Sequence, residues 1–196
     1  MLFMLAERKI HSMKYHPTTK QFKSELNEKI QLRGGEYSYC RKRSHETSTP
    51  ILRALYADIA WIGLQENNLL LDAINSYKRS FSLLLKKNMT SKLIKYLIRS
   101  IHLLYNIPIN KKSLKIDTIK LVINSLENII KKKEIIWIRR TSDVFDILLG
   151  EDVKDWEGID WSKLNSLLEN VIQIFSTNEL SRKKFEDLLI ICKSRI

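Results

Sequence analysis

The chain has 196 residues, and its 34 Lys and Arg outnumber 22 Asp and Glu to give a formal net charge of +12. Hydrophobic residues at 44 % and charged residues at 29 % are a globular composition, unlike that of a disordered chain. Five glycines and three prolines are too few for the turns of a β-sandwich or barrel.

In chain order, the opening MLFML precedes Glu7, Arg8 and Lys9. Five apolar residues are too few for a signal-peptide core. Residues 1–17 are expected to be a loosely attached terminus, with Met13 as an alternative first residue. Thr18-Thr19 can cap a segment in which Phe22, Leu26 and Ile30 recur every fourth residue, and Gly34-Gly35 ends it. Residues 34–49 are polar and aperiodic and read as a basic loop. Thr49-Pro50 is a helix start, because proline fits the first turn, where its missing N–H is not needed. Leu52, Leu55, Ile59 and Ile62 form the stripe that follows, and Gly63 and Asn67-Asn68 weaken or end it.

Leu70, Ala73, Ile74, Tyr77, Phe81 and Leu84 mark a helix over about 69–87. Thr90-Ser91 caps another, with Leu93, Leu97, Ile101 and Leu104 inside and Pro108 beyond it. Residues 113–133 repeat the spacing through Ile119, Val122, Leu126 and Ile129. Ile135–Ile138 is apolar on both faces and reads as helix or extended linker. Ser142 and Asp143 read as the start of a short helix ending at Gly150, with an acidic loop over 151–160. Asp160 caps a helix through Leu164, Leu168 and Val171, and a last helix covers about 178–194. The expectation is an all-α fold: a single-domain bundle, or stacked helical hairpins, of seven or eight helices over 1–196.

Residues 59–77 resemble a tetratricopeptide hairpin in Ile62-Gly63 and in the Ala73–Tyr77 spacing. No second copy follows, so the chain does not read as a repeat array. Two cysteines, Cys40 and Cys192, cannot build a disulfide framework, which suits a reducing interior, and Cys192 reads as a small core residue. No apolar run reaches the ~18 residues of a membrane span. A cytoplasmic protein is expected, without a membrane partner.

Charge is uneven. Residues 1–50, 51–110 and 111–140 carry +5, +5 and +6, whereas 141–196, the acidic C-terminal part, carry −4. One basic cluster, Arg41, Lys42, Arg43 and His45 with Tyr37 and Tyr39, sits in the expected loop. A second comprises Lys111, Lys112, Lys131, Lys132, Lys133, Arg139 and Arg140. Cations that displace counterions, with aromatics that stack on bases, would suit nucleic acid. Lysine on exposed helix faces also has a plain solvating role. The acidic stretch carries Asp152 and Asp155 with Trp156 and Trp161. It suits a protein-binding patch, or a tail that folds back on the basic body.

No phosphate-binding Gly-rich loop, zinc spacing, His-Glu-x-x-His or nucleophile elbow occurs. No cofactor, metal, catalytic residue or small-molecule substrate is expected. His102 reads as a core-edge histidine. His45 beside Arg41 and Arg43 gives a remote alternative, a metal-independent ribonuclease using acid–base catalysis. The leading expectation is a non-enzymatic helical protein working through protein contacts, as an assembly subunit, adaptor or immunity-type inhibitor. The alternative is a basic helical subunit of a ribonucleoprotein.

Overall fold

The computed structural model describes residues 36–150, 153 and 156–196. The expected terminus over 1–17, the segment from Phe22 to Ile30, and Asp152 and Asp155 lie outside the described residues. Among the described residues there are eight α-helices and no strand, so the fold is all-α. The helices are α1 (Glu36–Glu46), α2 (Pro50–Leu64), α3 (Asn67–Lys86) and α4 (Thr90–Leu104), then α5 (Lys112–Lys131), α6 (Ile135–Leu148), α7 (Trp161–Ile174) and α8 (Glu179–Lys193). A 3₁₀ turn, Ile109–Lys111, precedes α5. Contacts divide the chain into two compact units, one ending at Ile109 and the other running from Asn110 to Ile196. No helix among the described residues is long and apolar enough to cross a membrane.

In the first unit, α2 packs against α1 and α3, and α3 against α4. Thr49 and Pro50 start α2 as their types require, although the Thr49 side chain makes no capping hydrogen bond. Leu55, Tyr56, Ile59, Ile74, Tyr77, Leu97 and Ile101 are buried at helical spacing, so burial of these stripes holds the helices together.

Residues 34–49, expected as a basic loop, instead contain α1. Its inner face is Tyr37, Cys40 and Ser44, three and four residues apart, with Cys40 and Ser44 fully buried. A cysteine and a serine give almost no hydrophobic signal, yet both are small enough to sit against α2. The Ser44 hydroxyl donates to the Arg41 carbonyl at 2.7 Å, which removes the cost of burying it. Gly63, expected to weaken or end its helix, is the next-to-last residue of α2, which ends at Leu64, and it makes room for α1. A Cβ built at Gly63 would fall within the Tyr37 ring.

In the second unit, α5 packs against α6 and α7, and α8 against α6 and α7. Phe145 meets Phe185 edge-on at 6.3 Å, and Phe175 stacks on Phe185 at 5.7 Å. Asp160 caps α7 as expected, its side chain accepting from the Lys163 amide at 2.8 Å. Asn178 caps α8 the same way, accepting from the Ser181 amide at 3.1 Å.

Ser142 and Asp143 do not start a helix; they lie in the middle of α6, which begins at Ile135. The inner stripe of α6 is Ile138, Thr141, Ser142, Phe145 and Leu148, with Ser142 only 3 % exposed. Thr141 donates to the Ile138 carbonyl at 2.6 Å, so this hydroxyl is tolerated on a buried face.

Candidate interaction surface

The expected residues fall into three settings. On α1, Arg41 pairs with Glu66 at 3.3 Å, Lys42 with Glu46 at 3.7 Å and Arg43 with Glu46 at 3.2 Å. Arg43 also lies over the Tyr56 ring at 5.7 Å. Tyr37 is half-buried against Gly63, and Tyr39, also half-buried, meets Tyr56 edge-on at 6.4 Å. The tyrosines therefore pack inward instead of presenting free faces beside the cations. His45 is exposed, with Glu46 already committed to Arg43 and Lys42. His102, expected at the core edge, is exposed in the last turn of α4.

The second setting is the start of α5, where the acidic stretch returns. Lys112 pairs with Glu157, and the Lys115 ammonium lies 3.7 Å from the centre of the Trp156 ring. Partial burial lowers the Lys115 pKa. Gly158 has φ +88° and abuts Ile116 so closely that a Cβ there would stand 2.8 Å from its side chain. Residues 156–158 thus lie on the first turns of α5, and a basic segment is neutralised locally. Trp161 is half-buried at the head of α7, and its carbonyl accepts from the buried Cys192 thiol at 3.6 Å. Lys111 stays exposed in the 3₁₀ turn.

The third setting is the turn between α5 and α6. Lys131 pairs with Glu127 at 2.6 Å, and Lys131, Lys132 and Lys133 are all exposed. Lys133 takes φ 55°, the left-handed conformation that ends α5. Ile135 and Ile136 follow at 52 % and 69 % exposure. They occupy the first turn of α6, whose buried stripe begins only at Ile138, so their side chains have no place in the core. Arg140 lies over the Trp137 ring at 5.6 Å, and Arg139 is exposed beside it. Neither Lys133 nor Arg139 has an acidic partner among the described residues. The turn thus unites five expected cations with two exposed isoleucines and a half-buried tryptophan.

Two further features escape a sequence reading. Asp58 and Arg99, 0 % and 3 % exposed, form a two-pronged ion pair at 2.6 and 2.7 Å inside the first unit. Tyr77 donates to the same carboxylate at 2.7 Å. Burial and the Asp58 charge push the Tyr77 hydroxyl well above its usual pKa. The only signal in sequence is a lone charge inside an apolar stripe on each helix. In the second unit, Glu127 accepts from both Lys131 and Lys163, the latter at 2.7 Å, and these bonds hold its carboxyl down to about 2. Among the described residues no group of three or more His, Cys, Asp or Glu could hold a metal ion.

Comparison with protein-family models, with curated proteins and with solved structures finds no match.

Proposed function

We propose that this chain is a non-enzymatic helical binding protein that acts through protein contacts, as an assembly subunit, adaptor or inhibitor. The contact surface in this reading is the α5–α6 turn. The observation that supports it is the pair Ile135 and Ile136, more than half exposed and flanked by Lys133, Arg139 and Arg140. An apolar centre beside Arg and Trp with a charged rim is the composition of an interface hot spot. Its complement is a partner with an apolar knob or shelf surrounded by carboxylates.

The same cations would also serve the alternative, a nucleic-acid-binding subunit. Phosphate binding makes no use of exposed isoleucines, whereas protein contact uses both isoleucines and cations. The test is co-purification from the native host, with wild type compared to Ile136→Asp. A stoichiometric protein partner, lost in the variant at unchanged helicity, is expected. Recovery of the wild type with nucleic acid and no protein would overturn the reading.

A further inference from the structure

Along α7, the residues Lys163, Ser166, Leu167, Asn170, Gln173 and Ile174 line one side of an open groove of about 560 Å³. Their spacing of three and four marks a single helix face running nearly the whole length of α7. At about 1.5 Å per residue, that face is about 16 Å long. The other side is the last turns of α5, contributing Glu127, Ile130 and Lys131, with Lys133 in the turn that follows.

Leu167 and Ile130 are buried and Ile174 half-buried, so the floor is apolar; Ser166, Asn170 and Gln173 form an exposed polar rim. Three lysines face one carboxylate. Glu127 already serves two of them, and Lys133 has no acidic partner among the described residues. The groove is therefore positively charged, elongated and greasy at its base.

We infer that the α5–α7 groove takes an acidic amphipathic helix of a partner protein. The inference rests on the protein-contact reading above and names the partner's chemistry. Apolar side chains of that helix at i, i+3, i+4 and i+7 sit on Ile130, Leu167 and Ile174, the usual helix-in-groove arrangement. Its carboxylates reach Lys133 and Lys163 at the rim. A small anion would be held by the lysines but would leave the apolar floor uncovered, so a helix accounts for both halves of the lining.

The test uses the full chain and a fluorescent helical peptide about four turns long, ~15 residues. Leucine occupies one face of this peptide and glutamate the other; a second peptide carries lysine for glutamate. The acidic peptide is expected to bind, and the basic one not. Lys133→Glu and Asn170→Trp, both at exposed positions, should each weaken binding at least about tenfold. The first reverses the unpaired charge and the second fills the groove. Leu180→Ala, at an exposed position of α8 outside the groove, should leave peptide affinity unchanged.

Equal binding of both peptides, or wild-type affinity in both groove variants at unchanged helicity, overturns the inference. Displacement of the acidic peptide by millimolar inorganic phosphate also overturns it, because the groove would then be an anion site. If the groove variants keep a native partner that Ile136→Asp loses, the protein-contact reading stands and the groove assignment falls.

Discussion

Among the described residues of the first unit, Asp58 and Arg99 form a fully buried ion pair. Both are withdrawn from water, and each is tolerable only because the other is there: two charge-assisted bonds satisfy the guanidinium edge, and Tyr77 adds a third to the carboxylate. Removing one partner strands the other. Asp58→Ala is therefore expected to cost about 3–5 kcal/mol, read from hydrogen exchange of the α2–α4 amides. Arg99→Lys should also destabilise, because an ammonium cannot reproduce the planar fork. The double change Asp58→Leu with Arg99→Met should recover most of the loss, since a buried pair contributes little beyond an apolar equivalent. A single-variant cost below about 1 kcal/mol would show that the pair is not needed to hold α2 to α4.

At the scale of elements, the contact of α1 with α2 depends on Gly63. Alanine is the better helix former by about 1 kcal/mol, so Gly63→Ala would stabilise α2 if nothing lay against it. The Tyr37 ring does lie against it, and forcing a methyl into that contact costs about 1–3 kcal/mol. Net destabilisation is expected, with faster amide exchange confined to α1. In Tyr37→Ala with Gly63→Ala the loss should be smaller than the sum of the single losses, because the clash is absent. A fully additive double variant would remove Tyr37 as the cause.

The α5–α7 clasp gives a pH prediction. Glu127 ordinarily titrates near 4.5, and hydrogen bonds from Lys131 and then Lys163 bring it to about 2 in the fold. A carboxyl with a depressed folded pKa contributes stability that is complete above its unfolded pKa and lost as pH falls towards the folded one. The clasp should therefore weaken between about pH 4.5 and pH 2. Glu127→Gln should flatten this acid limb of the stability profile, lying below the wild type at pH 7, where the contribution is complete, and converging on it towards pH 2. An unchanged acid limb in the variant would assign it to other carboxylates.

These elements also show what sequence alone carries. The stripes of α2 to α5, α7 and α8 are legible because Leu, Ile, Val and Phe fill them. α1 is not, because its inner face is Tyr37, Cys40 and Ser44. The start of α6 is displaced because Ser142 and Asp143 resemble a cap, while Ile135–Ile138 is apolar on both faces and shows no phase. The cations of the α5–α6 turn are visible as a cluster. The exposure of Ile135 and Ile136 is not, since it follows from where the buried stripe of α6 begins. Asp58 and Arg99 stand 41 positions apart, and only the tertiary fold pairs them.

For the whole molecule, the net charge of +12 divides unequally: residues 1–109 carry +10 and residues 110–196 only +2. In the second unit the acidic stretch offsets the basic one, partly through Lys112–Glu157. What distinguishes its α5–α6 turn is not net charge but the joining of cations to exposed isoleucine. RNA and protein partners are separable on that basis. A protein that neutralises several phosphates loses affinity linearly in log salt, with a slope of about 0.9 or less per contact. Arg139→Ala with Arg140→Ala should make that slope shallower by about 1–2 if phosphate sits at the turn. Ile136→Asp should then weaken RNA binding by its added negative charge alone, and at high salt by almost nothing. Under the protein-contact reading, binding of a random-sequence RNA is expected only at low salt, and the arginine variant leaves its slope unchanged. Ile136→Asp then abolishes partner binding even at 200 mM salt, where charge is screened over roughly 7–8 Å and the apolar contact is not. Tight RNA binding that persists at that salt and collapses in the arginine variant would transfer the surface to nucleic acid.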